Sequence, residues 1–163
     1  MWFPSLFRPL KWHCRRDRPF SSRCRHVLPC WIPRLEALED RNVPSTLTVT
    51  SAGDDGSAGT LRAVVAAAHS GDTIQFDHQL KGQTITLTHG QLGVNQSLDI
   101  DGPGADKLTI SGNAASRIFD VSGGATVTIS GLTITQGLAT DGAGILNGGN
   151  LTLSQDVLSS NTA

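Results

Sequence analysis

The sequence predicts an all-β fold, a parallel β-solenoid, and three observations carry that prediction. The first is a repeat. Shifted by 24 residues, Val127-Thr128-Ile129-Ser130 falls on Leu151-Thr152-Leu153-Ser154, and Thr133-Ile134-Thr135 falls on Val157-Leu158-Ser159. Self-similarity at a period of this size marks a repeat architecture. The second is periodicity. Apolar and polar residues alternate in short runs, which is the period of a strand and not of a helix. So short a run cannot bury its own apolar face, and stacking on neighbouring copies solves that problem. The third is spacing. Gly, Asn or Asp separates nearly all the runs, and the gaps are too short for helical crossovers between parallel strands. A coil of roughly 20–24 residues with two or three strands meets these demands.

Composition divides the 163-residue chain in two. The net charge is −1, yet residues 1–44 hold nine of the 13 Lys and Arg and only four acids, a net of +5. The remainder holds four Lys or Arg and ten Asp, a net of −6. This asymmetry predicts a basic leader over 1–45 joined to a mildly acidic folded body over 46–163. The 18 Gly, the absence of Tyr and an aromatic content of 5% favour short strands and tight turns over a helical bundle. All three cysteines, Cys14, Cys24 and Cys30, lie in the leader, so no disulfide holds the body together.

In the leader, Pro4, Pro9, Pro19, Pro29 and Pro33 discourage a long helix. Arg and Lys interrupt every apolar run, so there is neither a clean secretory core nor a membrane span. His13, Cys14, Cys24, His26 and Cys30 are zinc-ligand types, but their spacing matches no usual paired framework. A disordered basic leader or export segment is preferred to contact with nucleic acid or anionic lipid, and no nucleic-acid partner is expected.

The body opens with a strand, TLTVT, from Thr46, and a turn-rich loop from Ser51 to Gly59. Thr60 is placed to N-cap a helix from Leu61 to about His69, with Gly71 as its stop. Leu61, Val64, Val65 and Ala68 would share one face. A helix there would cap the open end of the first coil. Strands then follow as DTIQF, QTITLT, SLDID, KLTIS, RIFDV, ATVTIS, LTIT, GAGIL, NLTLS and DVLSS. The expected inward residues are Ile74, Phe76, Ile85, Leu87, Leu98, Ile100, Leu108, Ile110, Ile118, Val121, Val127, Ile129, Leu132, Ile134, Ile145, Leu151 and Leu153. Gly112, Gly131, Gly137 and Gly148 suit corners needing positive φ. Asn113, Asn147, Asn150 and Asn161 suit bends where a side-chain amide bonds to the backbone. The chain stops just after a complete repeat, which reads as a solenoid truncated at its C-terminus. Its open end would invite self-association.

Two stretches carry family resemblances. Leu35, Glu36, Leu38, Glu39, Arg41, Pro44 and Ser45, after an Arg-rich leader, resemble the N-terminal motif of planctomycete extracellular proteins. That resemblance implies export; without it, the same residues read as one amphipathic helical turn. Residues 46–163 resemble right-handed parallel β-helix proteins of the pectin-lyase-like superfamily, in the bacterial surface branch with polymorphic outer-membrane-protein repeats. Gly142-Ala143-Gly144-Ile145 looks like that branch's Gly-Gly-Ala-Ile element. Leu158-Ser159-Ser160-Asn161 looks like its Phe-x-x-Asn element, with Leu replacing Phe. The resemblance implies a right-handed coil, a secreted or outer-membrane location and an adhesin-like role.

Many β-helices of that superfamily cleave acidic polysaccharides with clustered Asp and a nearby Lys or Arg. The candidates here are Asp99, Asp101, Asp106, Lys107, Arg117 and Asp120. In SLDID, Leu98 and Ile100 point in, so Asp99 and Asp101 point out, about 7 Å apart. Such a pair could hold Ca²⁺ or act as paired acids. Outward Asp also simply keeps a β-surface soluble, and this plainer reading is preferred. His69, His78 and His89 are isolated and read as loop residues. DGPGADKL and DGAGILNGG follow neither a calcium-binding nonapeptide nor a phosphate loop. No nucleophilic Ser has a His and Asp beside it. Three functions follow. The preferred one is a non-catalytic extracellular β-helix that binds glycan or protein and associates with the outer membrane through further segments. The alternative is a fragment of a polysaccharide lyase or glycoside hydrolase working through Asp99 and Asp101. The third is a gene fragment with no function of its own.

Overall fold

The computed structural model describes residues 43–163, so the leader, with its cysteines and its export-type motif up to Asn42, lies outside the described residues. The described chain is a parallel β-solenoid of about four coils. In order it forms β1 (Thr46–Val49), α1 (Leu61–Ala67), β2 (Thr73–Phe76), a 3₁₀ turn (His78–Leu80), β3 (Gln83–Thr86), β4 (Leu92–Val94) and β5 (Leu98–Asp101). Then come β6 (Leu108–Ser111), β7 (Phe119–Val121), β8 (Thr126–Ser130), β9 (Thr133–Thr135), β10 (Ile145–Asn147), β11 (Asn150–Ser154) and β12 (Val157–Ser159).

The strands deal themselves into three sheets. One has five strands in the order β1-β2-β5-β8-β11, one has four, β3-β6-β9-β12, and one has three, β4-β7-β10. Every pairing is parallel. Each full coil therefore has three strands. The 24-residue repeat is the register of the last coils: Val127 pairs with Leu151 and Thr133 with Val157. Earlier coils are longer than the 20–24 residues expected, since Thr73 pairs with Asp99 and Leu98 with Val127. The corner loops absorb the difference, because a sheet needs strands in register but sets no length for its loops.

The core is a set of aliphatic columns along the solenoid axis. One runs Leu47, Ile74, Ile100, Ile129, Leu153; another runs Ile85, Ile110, Ile134, Leu158. The middle members are at most 1% exposed. Each buried aliphatic side chain contributes about 1.5–3 kcal/mol. The inward assignment holds for most of the expected residues, but Phe76, Ile145 and Leu151 are only half-buried and Leu153 is 41% exposed. For β10 and β11 the reason is position: they are last in their sheets, and no described coil covers their far side.

Two strands depart from expectation. LGV, now β4, buries Leu92 and Val94. It is not among the expected strands; Gly93 at its centre faces outward, where a missing side chain costs little. In RIFDV the inward pair is Phe119 and Val121, while Ile118 is buried in the corner before the strand. Phe119 stacks on Leu92 and Ile145. Three of the four corner glycines also have a different reason. Only Gly131 has positive φ, at 65°. A methyl at Gly112 would lie 2.5 Å from the Ser116 carbonyl oxygen, one at Gly148 would lie 3.2 Å from that of Val121, and one at Gly137 would strike the Ala143 carbonyl. Those three permit close approach of their own loop or of the neighbouring coil.

The helix caps the first coil as expected. The Thr60 hydroxyl accepts from the Ala63 amide, and Leu61, Val65 and Ala68 are buried. The helix packs against β4 and β1, above the three-stranded sheet. It ends at Ala67, earlier than expected, and Ala68 is extended. The Asp72 carboxylate accepts the His69 amide at 2.8 Å and draws the chain into a turn closed by Gly71, at φ 96°.

Candidate functional site

The five-stranded sheet presents its outward residues as two parallel columns. One is Thr46, Thr73, Asp99, Thr128, Thr152; the other is Thr48, Gln75, Asp101, Ser130, Ser154. Strand pairing spaces neighbours within a column by about 4.8 Å, and the two columns stand about 7 Å apart. The alternation of SLDID places Asp99 and Asp101 here, both exposed, between buried Leu98 and Ile100. Ser130 donates its hydroxyl to Asp101 Oδ1 at 3.1 Å. Every position in both columns carries a hydroxyl, carboxylate or amide. The face can therefore donate and accept hydrogen bonds at a fixed pitch.

The six charged candidates do not converge. Asp106 and Lys107 sit in the loop after β5, whereas Asp120 lies on β7, the middle strand of the three-stranded sheet, and Arg117 in the corner just before it. Arg117 is committed to structure there. Its guanidinium donates to the Asp141 and Gly142 carbonyls at 2.8–3.3 Å and to Gln91 Oε1 at 2.9 Å. Asp120 accepts from Gln91 Nε2 at 2.8 Å and lies 3.9 Å from Arg117. This network ties three coils together and leaves the Asp99–Asp101 face without that cation. Among the described residues no three His, Cys, Asp or Glu are grouped to hold a metal ion. The Asp pair would need carbonyls or water to complete a Ca²⁺ shell. His69, His78 and His89 are exposed and stand apart, in the turn after α1, the 3₁₀ turn and the loop before β4.

The perturbed carboxylates lie elsewhere and serve the fold. Burial pushes the Asp54 carboxyl up, but the Arg62 guanidinium and the His89 and Thr88 amides more than offset it and hold it below its ordinary value. Arg62 bonds both Asp54 oxygens, at 2.8 and 3.0 Å, and the Gly90 carbonyl, at 2.6 Å. This pair pins the loop before α1 to the loop before β4. Asp72 is held low by the His69 amide and by the Ser45 amide and hydroxyl. Asp156 is raised, because burial outweighs its bonds from the Leu132 and Ser154 amides. Sequence pattern did not single out Asp54 or Asp72. A signal was present for Asp72, since an Asp directly after a helix-stopping Gly can collect the free amides at that turn.

The two repeat-like elements meet in space. Asn161 Oδ1 accepts from the Gly137 amide at 2.8 Å, and its Nδ2 donates to the Ile134 carbonyl at 3.0 Å. A methyl on Gly144 would lie 3.0 Å from that Nδ2. Gly142 needs its φ of 55°. Asn161 thus fills a bend as expected, and Asn113 sits at φ 57°. Asn147 accepts the Gly149 amide, whereas Asn150 begins β11.

Comparison of the chain with protein-family models, curated proteins and solved structures finds no match.

Proposed function

We propose that this chain is a non-catalytic β-helix module of an exported surface protein, and that it binds glycan along the outward face of its five-stranded sheet. The observation that carries this reading is the pair of exposed polar columns centred on Asp99 and Asp101. Their pitch is set by backbone pairing, so the groups are held in place before any ligand arrives, which lowers the ordering cost of binding. An extended chain of sugars, rich in hydroxyls, matches such a face group for group. Catalysis would require a cation or acid–base partner beside the carboxylates, and Arg117 is bonded instead to the Asp141 and Gly142 carbonyls in the loop before β10. The finer assignment belongs to the same proposal. The Gly144–Asn161 contact gives the two repeat-like elements a shared structural purpose, consistent with a right-handed pectin-lyase-like β-helix of the polymorphic outer-membrane-protein type. The leader motif supports export to the cell surface or beyond, by way of the outer membrane.

The test is affinity electrophoresis of the full chain in gels containing polygalacturonate, alginate or a neutral glucan, with and without Ca²⁺. Retardation by at least one glycan is expected, weakened by about tenfold or more in the Asp99→Ala/Asp101→Ala double variant, as for loss of at least one hydrogen bond to a charged group. No retardation by any glycan would overturn the reading. Release of unsaturated or reducing sugar that disappears in the double variant would replace it with the polysaccharide-cleaving alternative.

A further inference from the structure

We infer that the glycan taken by the five-stranded sheet carries ammonium groups, as a polymer of deacetylated amino sugars does. This rests on the glycan-binding reading above and adds to it the charge of the ligand. The place is the middle of the two polar columns. β5 is the third of the five strands, so each of its carboxylates has described neighbours on both sides. Thr73 and Thr128 flank Asp99, and Gln75 and Ser130 flank Asp101.

The first observation is the charge of the face. Of its ten outward positions two are carboxylates and none is a cation. The four Lys and Arg of the body are placed elsewhere. Arg62 is held by Asp54, and Arg117 by the Asp141 and Gly142 carbonyls. Lys81 and Lys107 stand in the corners that lead into the four-stranded sheet. Ion pairs among the described residues involve Asp54, Asp72, Asp77 and Asp120, but neither Asp99 nor Asp101. The one described side-chain bond to either carboxylate comes from Ser130, to Asp101 Oδ1 at 3.1 Å. Most of their acceptor capacity is therefore open to a ligand. The body's net charge of −6 adds a field that draws cations toward it. A polyuronate would instead set carboxylate against carboxylate, which is unfavourable.

The second observation is spacing. Asp99 and Asp101 project from one strand about 7 Å apart. An ammonium nitrogen between them needs a carboxylate oxygen on each side at about 2.8 Å, so the two oxygens must stand about 5.6 Å apart. A small lean of each side chain provides that. The third ammonium hydrogen is left for a neighbouring hydroxyl, and Ser130, which donates to Asp101, still has lone pairs to accept it. Ca²⁺ is a poorer match. It asks for six to eight oxygens at about 2.4 Å, which two separated carboxylates do not supply. The column pitch of about 4.8 Å is close to the rise of one ring in an extended β-1,4-linked chain. A chain along the solenoid axis would set one amino sugar over β5 and its neighbours over β2 and β8. Thr73, Gln75 and Thr128 would bond the hydroxyls of those neighbours. Acetylating the amine removes its charge and two of its three donors, and leaves the carboxylates without a counter-charge.

Isothermal titration calorimetry of the full chain tests this with three β-1,4-linked oligomers of equal length, built of glucosamine, N-acetylglucosamine or glucose. The buffer is acid enough to keep the amines protonated. The glucosamine oligomer should bind at least about tenfold more tightly than the other two, as for one added charge-assisted hydrogen bond. Raising the salt should narrow that gap. Asp99→Asn/Asp101→Asn keeps the size and polarity of both side chains but removes their charge, and should make the three affinities equal. Asp106→Asn/Asp141→Asn removes the same charge from loops outside the columns and should keep the preference. Circular dichroism checks that both double variants stay folded. A glucosamine oligomer that binds no better than the neutral two would overturn the inference and leave the glycan-binding reading standing. So would a preference that falls equally in both double variants, because attraction to net charge alone would then explain it. Absence of binding to all three oligomers would overturn both.

Discussion

Shortening Ile129 to Ala should cost far more than shortening Leu153 to Ala, although the two residues occupy one column and face the same interior. Both substitutions delete three carbons, worth about 2.4 kcal/mol at roughly 0.8 kcal/mol each when fully buried. Ile129 is 0% exposed, with Ile100 on one side and Leu153 on the other. Its removal leaves a closed void, and the cavity cost brings the total to about 3–4 kcal/mol, inside the range for such changes. Leu153 is 41% exposed. It gives up only about 60% of the transfer energy, roughly 1.4 kcal/mol, and its site opens to solvent without forming a cavity. Urea unfolding followed by circular dichroism measures both. The slope should stay constant, which makes the midpoint shift a stability change. Equal costs for the two variants, or a cost below about 1 kcal/mol for Ile129→Ala, would refute the stacked column.

Three further outcomes are expected. Gly144→Ala pushes a methyl against the Asn161 amide at 3.0 Å and should cost about 1–3 kcal/mol in urea unfolding. Gly123→Ala, whose nearest neighbour would be 3.6 Å away, should change stability by no more than about 0.5 kcal/mol. Asp54→Ala strands Arg62 and the Thr88 and His89 amides, and should lower stability by about 2–3 kcal/mol, read from the same transitions. The pH dependence follows from Asp54 and Asp72, both held below the ordinary carboxylate value. Such groups contribute stability that is fully present above the unfolded pKa of about 3.9 and is lost as pH falls through their lower folded values. Tm should therefore drop below about pH 4, and the drop should be shallower in Asp72→Asn than in the parent chain.

The solenoid was legible because its evidence is repetitive. The 24-residue shift that aligns Val127 with Leu151 is the pairing register itself, and the alternation in SLDID places Asp99 and Asp101 outward. Thr60 announced the helix, since a threonine ahead of an apolar face is a cap in need of amides. Features that depend on the neighbouring coil were harder to read. Gly112, Gly137 and Gly148 are needed because another coil's backbone or their own loop passes close by, and local sequence carries no trace of that approach. β4 escaped notice because a three-residue strand with Gly at its centre has too little alternation to count. The charged candidates divided among three places because periodicity predicts whether a residue points in or out, whereas loop lengths decide which corner it occupies. Arg117 looked available for chemistry until its carbonyl partners, 24 and 25 residues further along, were brought beside it by one turn of the solenoid.

A disulfide placed across two coils tests the register on which the polar columns and the apolar columns both depend. In a chain whose three native cysteines are replaced by Ser, Asp99→Cys and Thr128→Cys would stand directly opposite each other on adjacent strands. Their Cα atoms would be about 4.8 Å apart, within disulfide reach. The control pair, Asp99→Cys with Thr126→Cys, is displaced by two residues along the strand, about 7–8 Å away and beyond that reach. Rapid bond formation in the first pair under mild oxidant, with little in the control, is the expected result. Equal reactivity of the two pairs, or faster closure of the control, would contradict the coil register.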